Sequence, residues 1–331
     1  MPETIPSAEP ATNGAKAPSV DTAPSEEGAP SADPPLSADG GTSADPSPSA
    51  EGATPRAGGP ASAALEPRVA VLLAGRRDPS DPLARADGAP HRALLDIEGE
   101  PMLVRVARRL LARPSIDRVV VSIDAPALLE DVEALRDWRE RGALEVLQST
   151  DSPSRSVLEG LERAGLARAS VLVTTADHAL LDDAMLDAFF RASAGSDADL
   201  SVGLVERRTI ESRFPESKRT YLRFRDGAFS GANLFSFRTP AARSAAEFWQ
   251  RVERDRKRPW RIARAFGPGT LLRFLARRLT LDEALERASQ TIGARVRAVR
   301  LPIAEAAVDV DKLEDLVLVR RILAERRGVD G

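Results

Sequence analysis

From residue 68 onward, short apolar runs alternate with stretches whose apolar residues recur at helical spacing. Residues 69–74, Val-Ala-Val-Leu-Leu-Ala, run unbroken to Gly75 and predict a buried strand. Residues 103–111 have helical spacing, with Pro101 near the start and Pro114 beyond the end. The same reading predicts strands at 118–123, 144–147 and 170–175, with helices around 127–141, 156–167 and 183–192. Further strands are expected at 200–204, 221–224, 232–237 and 296–301, and a closing helix at 313–326. Asp226-Gly227 signals a hairpin between two of these strands. Strands alternating with helices imply an α/β fold: a mostly parallel, mixed sheet between two helical layers. Such sheets bind ligands beyond the carboxyl ends of their strands. Residues 240–290 fall outside the alternation and are expected to form a helical insert, packed as a lid or a side layer.

Composition sets the first 65 residues apart. They are rich in Ala, Pro, Ser, Gly and acids, hold almost no large apolar side chains, and repeat a Ser-Ala-Asp/Glu phrase four times between Ser31 and Gly52. Such a segment cannot bury enough apolar surface to offset the entropy of ordering it, so 1–65 is expected to be a disordered tail and 66–331 the folded domain. Residues 1–66 carry ten acids and two bases, while the whole chain is −3, which leaves +5 for residues 67–331. A mildly basic domain suits phosphorylated ligands or an anionic surface, and the charge is too modest to argue for nucleic acid. The absence of Cys excludes disulfides and thiolate metal sites. Met-Pro-Glu-Thr has neither the basic nor the apolar part of a signal peptide, and no apolar run approaches the roughly 20 residues of a bilayer span. The expectation is a soluble, cytoplasmic protein.

Polar groups that suit phosphate or Mg²⁺ cluster in four segments: 69–75, 91–95, 174–178 and 308–311. The chain's two histidines, His91 and His178, both lie in them. Gly75 would let the backbone approach a phosphate, with Arg76 and Arg77 close behind. Arg92, beside that turn, would stabilise charge on a transferring phosphoryl group.

Leu72-Leu73-Ala74-Gly75, the base before Ala93-Leu94-Leu95, and Gly99-x-Pro101-Met102-Leu103 carry a resemblance. They are similar to the N-terminal signature of the nucleotidyltransferases related to molybdenum cofactor guanylyltransferase and the sugar-phosphate nucleotidylyltransferases. Arg76 stands where that signature has a second Gly, and Arg92 where it has Lys. The second exchange fits a chain with only four lysines. The resemblance spans roughly 68–326 and implies a Rossmann-like three-layer α/β/α sandwich. It also implies Mg²⁺-dependent transfer of an NMP group from an NTP to a phosphorylated small-molecule or lipid-precursor acceptor.

Residue by residue, the resemblance implies the following. Thr174-Thr175-Ala176-Asp177 resembles the family's metal motif, with Asp182 left to cap the next helix. Val308-Asp309-Val310-Asp311 resembles its closing acidic motif. Alternation puts Asp309 and Asp311 on one side, with Asp309 the first choice as metal ligand and Asp311 open to being a helix cap. The catalytic set is then Arg92, Asp177 and Asp309, and the metal set Asp177, Asp309 and Asp311. Leu73, Ala74, Gly75, Arg76, Arg92 and Asp177 face the nucleotide, together with Ser152 and Ser156 at a helix start that suits a base edge, a phosphate or plain capping. Asn233 and Lys218 face the acceptor, with Arg219 and Tyr221 as possible helpers. His178 is read as a packing residue or as a support behind the ligating groups, rather than as a base.

The stretch 251–278 is basic and interspersed with aromatics. It reads as a solvated Arg-rich helix pair with a buried aromatic stripe, or as a peripheral contact with lipid or an anionic acceptor, and the first reading is preferred. Two rival functions stay open: a nucleotide-sugar-dependent glycosyltransferase using Asp309-Val310-Asp311 as its metal motif, and a non-catalytic nucleotide-binding homologue. The base, the acceptor and the oligomeric state are not legible.

Overall fold

The apolar run after Arg68 becomes the central strand of a sheet in the computed structural model, which describes residues 66–75, 81–217, 219–254 and 266–329. The first half of the domain comprises β1 (Val69–Leu73), α1 (Pro82–Ala86), β2 (Asp96–Ile97), β3 (Glu100–Pro101), α2 (Met102–Leu111), β4 (Arg118–Ile123), α3 (Glu133–Glu140) and β5 (Leu144–Gln148). Then follow α4 (Pro153–Ala164), β6 (Val171–Thr175), α5 (Asp183–Ala194), β7 (Leu200–Glu206) and α6 (Arg207–Arg213). The rest is β8 (Leu222–Phe224), β9 (Gly227–Phe237), α7 (Arg243–Arg254), α8 (Pro268–Leu275), α9 (Leu281–Ile292), β10 (Val296–Leu301) and α10 (Leu313–Val329).

The main sheet runs β10-β7-β9-β6-β1-β4-β5, with β8 paired to β9. β1 lies between parallel neighbours β4 and β6, and β10 is parallel to β7. β9 runs antiparallel to β6, β7 and β8, which makes the sheet mixed. Helices cover both faces, giving a Rossmann-like three-layer sandwich. On one face Ala70, Leu72, Val121 and Leu172 meet Leu103, Leu110, Met185, Phe189, Leu316 and Ile322 of α2, α5 and α10. On the other, Val71, Val120 and Val173 meet Val157 and Leu161 of α4, with Ala245 and Ala246 of α7 alongside. A strand buried on both faces has no polar side, which explains the unbroken apolar sequence of β1.

Close packing of α4 on β1 depends on Gly160. A Cβ there would sit 2.7 Å from Val71 Cγ1. Val71 is fully buried and stiff at χ1. Gly160→Ala is therefore expected to destabilise by about 1–3 kcal/mol despite its better helix propensity. Urea denaturation checks the sign.

Several elements depart from the sequence expectation. The helix expected around 127–141 is a 3₁₀ turn (Pro126–Leu129) followed by α3, because Val132 is extended (φ −97°, ψ 104°) between them. α4 starts three residues early, at Pro153 behind the Ser152 cap, and stops where Gly165 turns left-handed at φ 81°. β9 begins at Gly227 rather than 232, since its first half pairs with β8 through the tight hairpin. α1 and α6 were not expected. The described part of the 240–290 insert is a side layer: α7 packs on α4 and α9 on β10. The expected tail, 1–65, lies outside the described residues, as do Arg76, Arg77 and Lys218. Among the described residues no helix is long and apolar enough to cross a membrane.

Candidate active site

The carboxyl ends of β1, β4, β5 and β6 form one rim. Leu73 is in register with Thr175, and the Ala176 N–H donates to the Leu73 carbonyl at 2.8 Å. The Ala74 N–H likewise donates to the Ser122 carbonyl at 2.8 Å. Ala74 is buried, while Leu73 is half-buried and Gly75 emerges exposed at the rim. A Cβ on Gly75 would come within 2.9 Å of Ser149 Oγ, so the glycine keeps open the gap between the loops after β1 and β5.

Arg92 reaches this rim through His91. The His91 ring is fully buried. Its Nδ1 accepts from the Ala93 N–H at 3.0 Å, capping the 3₁₀ turn Arg92–Leu94. Nε2 therefore carries the proton, which it donates to Asp124 Oδ1 at 2.9 Å. His91 is thus a pin that aims the turn. Arg92 stands between two carboxylates: its Nε is 3.1 Å from Asp81 Oδ2, its Nη1 is 3.5 Å from Asp311 Oδ1, and its Nη2 donates to the Asp311 carbonyl. His91→Ala would leave a cavity and a buried N–H without its acceptor, so a loss of about 2–4 kcal/mol is expected in denaturation experiments.

The other two segments meet directly. The Val310 N–H donates to the Asp177 carbonyl at 3.0 Å, tying the end of β6 to the segment before α10. Thr175 donates its hydroxyl to Asp177 Oδ1. Burial pushes the Asp177 pKa up to about 6; the charges of Asp309 and Asp311 add to this, while the Thr175 bond and Arg92 oppose it. Burial also raises Asp311, again with Asp309 adding and Arg92 opposing. Asp182 caps α5 by accepting from the Met185 N–H at 3.0 Å, which frees Asp177 from that task. Asp311 is exposed and does not cap α10. That role falls to Asp315, whose Oδ2 accepts from the Asp311 and Lys312 N–H groups at 3.2 Å each.

Asp309 has an unforeseen partner. Arg219, only 8% exposed at its side chain, donates from Nη1 to Asp309 Oδ1 and from Nη2 to Asp315 Oδ1, the latter at 3.2 Å. Asn233 Nδ2 donates to Asp309 Oδ2 at 3.4 Å from a left-handed backbone (φ 49°). The sequence had set Arg219 behind Lys218. His178 is buried with both ring nitrogens lacking a partner among the described residues, and burial pulls its pKa down to about 4. A sealed, neutral ring fits the packing role.

Ser152 and Ser156 reach the same rim but serve α4. Ser152 Oγ accepts from the Arg155 N–H at 3.3 Å and donates to Glu253 Oε2 at 3.1 Å. Ser154 adds its hydroxyl to the same oxygen at 2.5 Å. Ser156 Oγ accepts from the Thr150 N–H at 2.9 Å. Glu253 carried no sequence signal, because α7 meets α4 only in the fold.

The residues suit Mg²⁺ in a limited way. Among the described residues one hydroxyl, that of Thr175, donates to the partly buried Asp177 carboxylate, and Asp309 lies close enough to raise its pKa. Among the described residues no three acidic, His or Cys side chains group closely enough to hold a metal. This is a two-carboxylate arrangement of the kind that Mg²⁺ completes with phosphate oxygens and water, rather than a protein cage.

The sequence model of the MobA-like NTP transferase domain matches residues 70–299. A 3-deoxy-manno-octulosonate cytidylyltransferase of Methylobacterium nodulans is 45% identical over 83 residues, 23% of this chain and 31% of that relative. The chain thus spans about a third of this curated relative. A hypothetical transferase from Thermus thermophilus, 32% identical, is matched over 76% of this chain and 100% of its own at a TM-score of 0.59. A 4-diphosphocytidyl-2C-methyl-D-erythritol synthase from Anaerococcus prevotii shares the fold at 11% identity and a TM-score of 0.51, over 80% of this chain and 100% of its own.

Proposed function

The chain belongs to the MobA-like NTP transferase family, and from that premise we propose that it is a nucleotidyltransferase that transfers an NMP group from an NTP to a phosphorylated acceptor, with Mg²⁺ as cofactor and pyrophosphate as co-product. The observation that carries this reading is the meeting of Asp177 with the Asp309 segment, through the Val310–Asp177 backbone bond, at the rim where Gly75 opens.

Asp177 and Asp309 would hold the cation. When bound, Mg²⁺ supplies charge stabilisation at the α-phosphate. The Gly75 amide and Arg92 receive the charge of the departing pyrophosphate, Arg92 exchanging Asp311 for the leaving group. Asn233 and Arg219 border Asp309 and face the acceptor. An acceptor phosphate oxygen bonds to the α-phosphorus, the α–β anhydride bond breaks, and pyrophosphate leaves with the electron pair. The acceptor is already ionised, so no general base is needed, consistent with the sealed His178. Catalysis is then mostly positioning and charge stabilisation.

The test is pyrophosphate release from each of the four NTPs with pooled phosphorylated acceptors, with and without Mg²⁺. CTP is tried first, given the cytidylyltransferase match. Metal-dependent release with one nucleotide is expected. Turnover of nucleotide sugars without pyrophosphate would instead favour glycosyl transfer.

A further inference from the structure

The insert between β9 and β10 presents an apolar face that the fold does not use. None of the eight residues of α8 is buried. Leu272 and Leu275 are 69% and 67% exposed, and Leu271 is 36% exposed. At 3.6 residues per turn these three leucines share an arc of roughly 100°. The opposite flank ties the helix down: Phe274 meets the Phe224 ring at 5.7 Å between centroids, and Arg287 donates to the Thr270 hydroxyl at 3.2 Å. The leucines therefore point outward from an anchored helix. The sequence had favoured a solvated helix pair with a buried aromatic stripe. In the fold Phe274 is half-buried against Phe224 and the outward face of α8 is aliphatic, while Trp260 of the expected stripe lies outside the described residues.

The sequence around this helix is basic. Residues 251–278 hold ten Arg or Lys against two acids, in a chain whose net charge is −3. Arg273, Arg277 and Arg278 are exposed on and just after α8. Exposed leucines bordered by arginines on a short surface helix are the requirements of an interfacial membrane contact: aliphatic side chains enter the acyl boundary while guanidinium groups meet phosphate headgroups. A symmetric dimer through this face would set each basic stretch against its own copy, which like-charge repulsion disfavours. The N-terminal segment offers acids but almost no large apolar side chains to cover leucine. We propose that the α8 face docks the protein on an anionic lipid surface.

The test is co-sedimentation of the full chain with vesicles of roughly two parts phosphatidylcholine to one part phosphatidylglycerol, against pure phosphatidylcholine. Leu272→Glu/Leu275→Glu is the comparison, and its melting temperature is the folding control. Both positions are solvent-facing and lie outside the proposed active site. The wild type is expected to pellet with the anionic vesicles, much less with neutral ones, and less again as salt rises. The double variant is expected to lose on the order of tenfold or more in partitioning with an unchanged melt. Equal wild-type recovery from both vesicle types overturns the proposal. So does unchanged binding of the double variant, which would leave the leucines no part. So does a wild-type dimer in sedimentation velocity that the double variant converts to monomer. If the double variant melts low, Leu272→Gln alone is read in the same way.

Discussion

Asp177→Asn is expected to abolish Mg²⁺-dependent pyrophosphate release and, at neutral pH, to make the protein more stable. The first effect follows from the proposed metal role: losing one of two anionic ligands should cut turnover by about three orders of magnitude or more. The second follows from burial. The Asp177 pKa is raised from its ordinary 3.8 to about 6, so the folded state favours the protonated acid. Above about pH 6 the folded protein carries a carboxylate that the unfolded chain holds more comfortably in water, a penalty on the order of 1–3 kcal/mol. As pH falls through about 6 toward 4, the folded state takes up its proton first and the penalty disappears. Asn has no such charge and can still accept from Thr175. The melting temperature of the variant should therefore exceed that of the wild type near pH 7.5 and converge with it near about pH 4. Mg²⁺ with nucleotide should reverse the order by stabilising the wild type alone. A variant that released pyrophosphate normally would remove Asp177 from the metal site. A variant that melted lower at every pH would contradict its electrostatic cost.

Opposed effects of one substitution on stability and turnover also bear on what the sequence could disclose. β4 and β10 are read to the residue: β10 is an edge strand whose apolar residues are interrupted by arginines, while β4, inside the covered sheet, is written as a near-continuous apolar run. The rim is legible for the same reason: Gly75 and Asp177 follow such runs immediately. Convergence of Asp177 with Asp309 is legible only through family resemblance, since the two are 132 positions apart. At α4 the apolar periodicity alone put the start at 156, while Ser152-Pro153, read as a helix start, already carried the cap and first turn. Nothing local signals that β9 inserts antiparallel between β6 and β7, and this pairing brings Asn233 to Asp309. The pairing of Arg219 with Asp309, and Glu253 altogether, escaped the sequence for one physical reason. Each is an unremarkable surface-type residue in sequence, and its role is set by a partner 90 or more positions away. Charged side chains acquire function from the elements that bury them, and that information is tertiary.

Arg219→Met carries the second large effect, because it separates the two tasks of Asp309. In the wild type the guanidinium spans Asp309 and Asp315, and Asp315 in turn organises the Asp311 and Lys312 backbone. Met keeps much of the aliphatic stem and removes the charge. Two carboxylates, one of them 7% exposed, are then left facing each other without their cation. Breaking a buried pair from one side typically costs about 3–5 kcal/mol, and the partial exposure of Asp309 brings the expectation to about 2–4, a fall in melting temperature of roughly 5–15 °C. Mg²⁺ alone should restore part of that loss in the variant and little in the wild type, because only the variant offers Asp309 without a resident cation. Arg219→Lys should fall between the two, since one ammonium cannot bridge both acids as a planar fork does. Turnover with saturating Mg²⁺ should drop further than the melt implies, because the group bordering the acceptor is also gone. Differential scanning fluorimetry across a Mg²⁺ series reads the stability arm. A variant melting within about 1 °C of the wild type, and indifferent to Mg²⁺, would mean that Arg219 does not hold Asp309 in solution. The acidic pair would then have to be kept apart by water alone, which its burial makes costly.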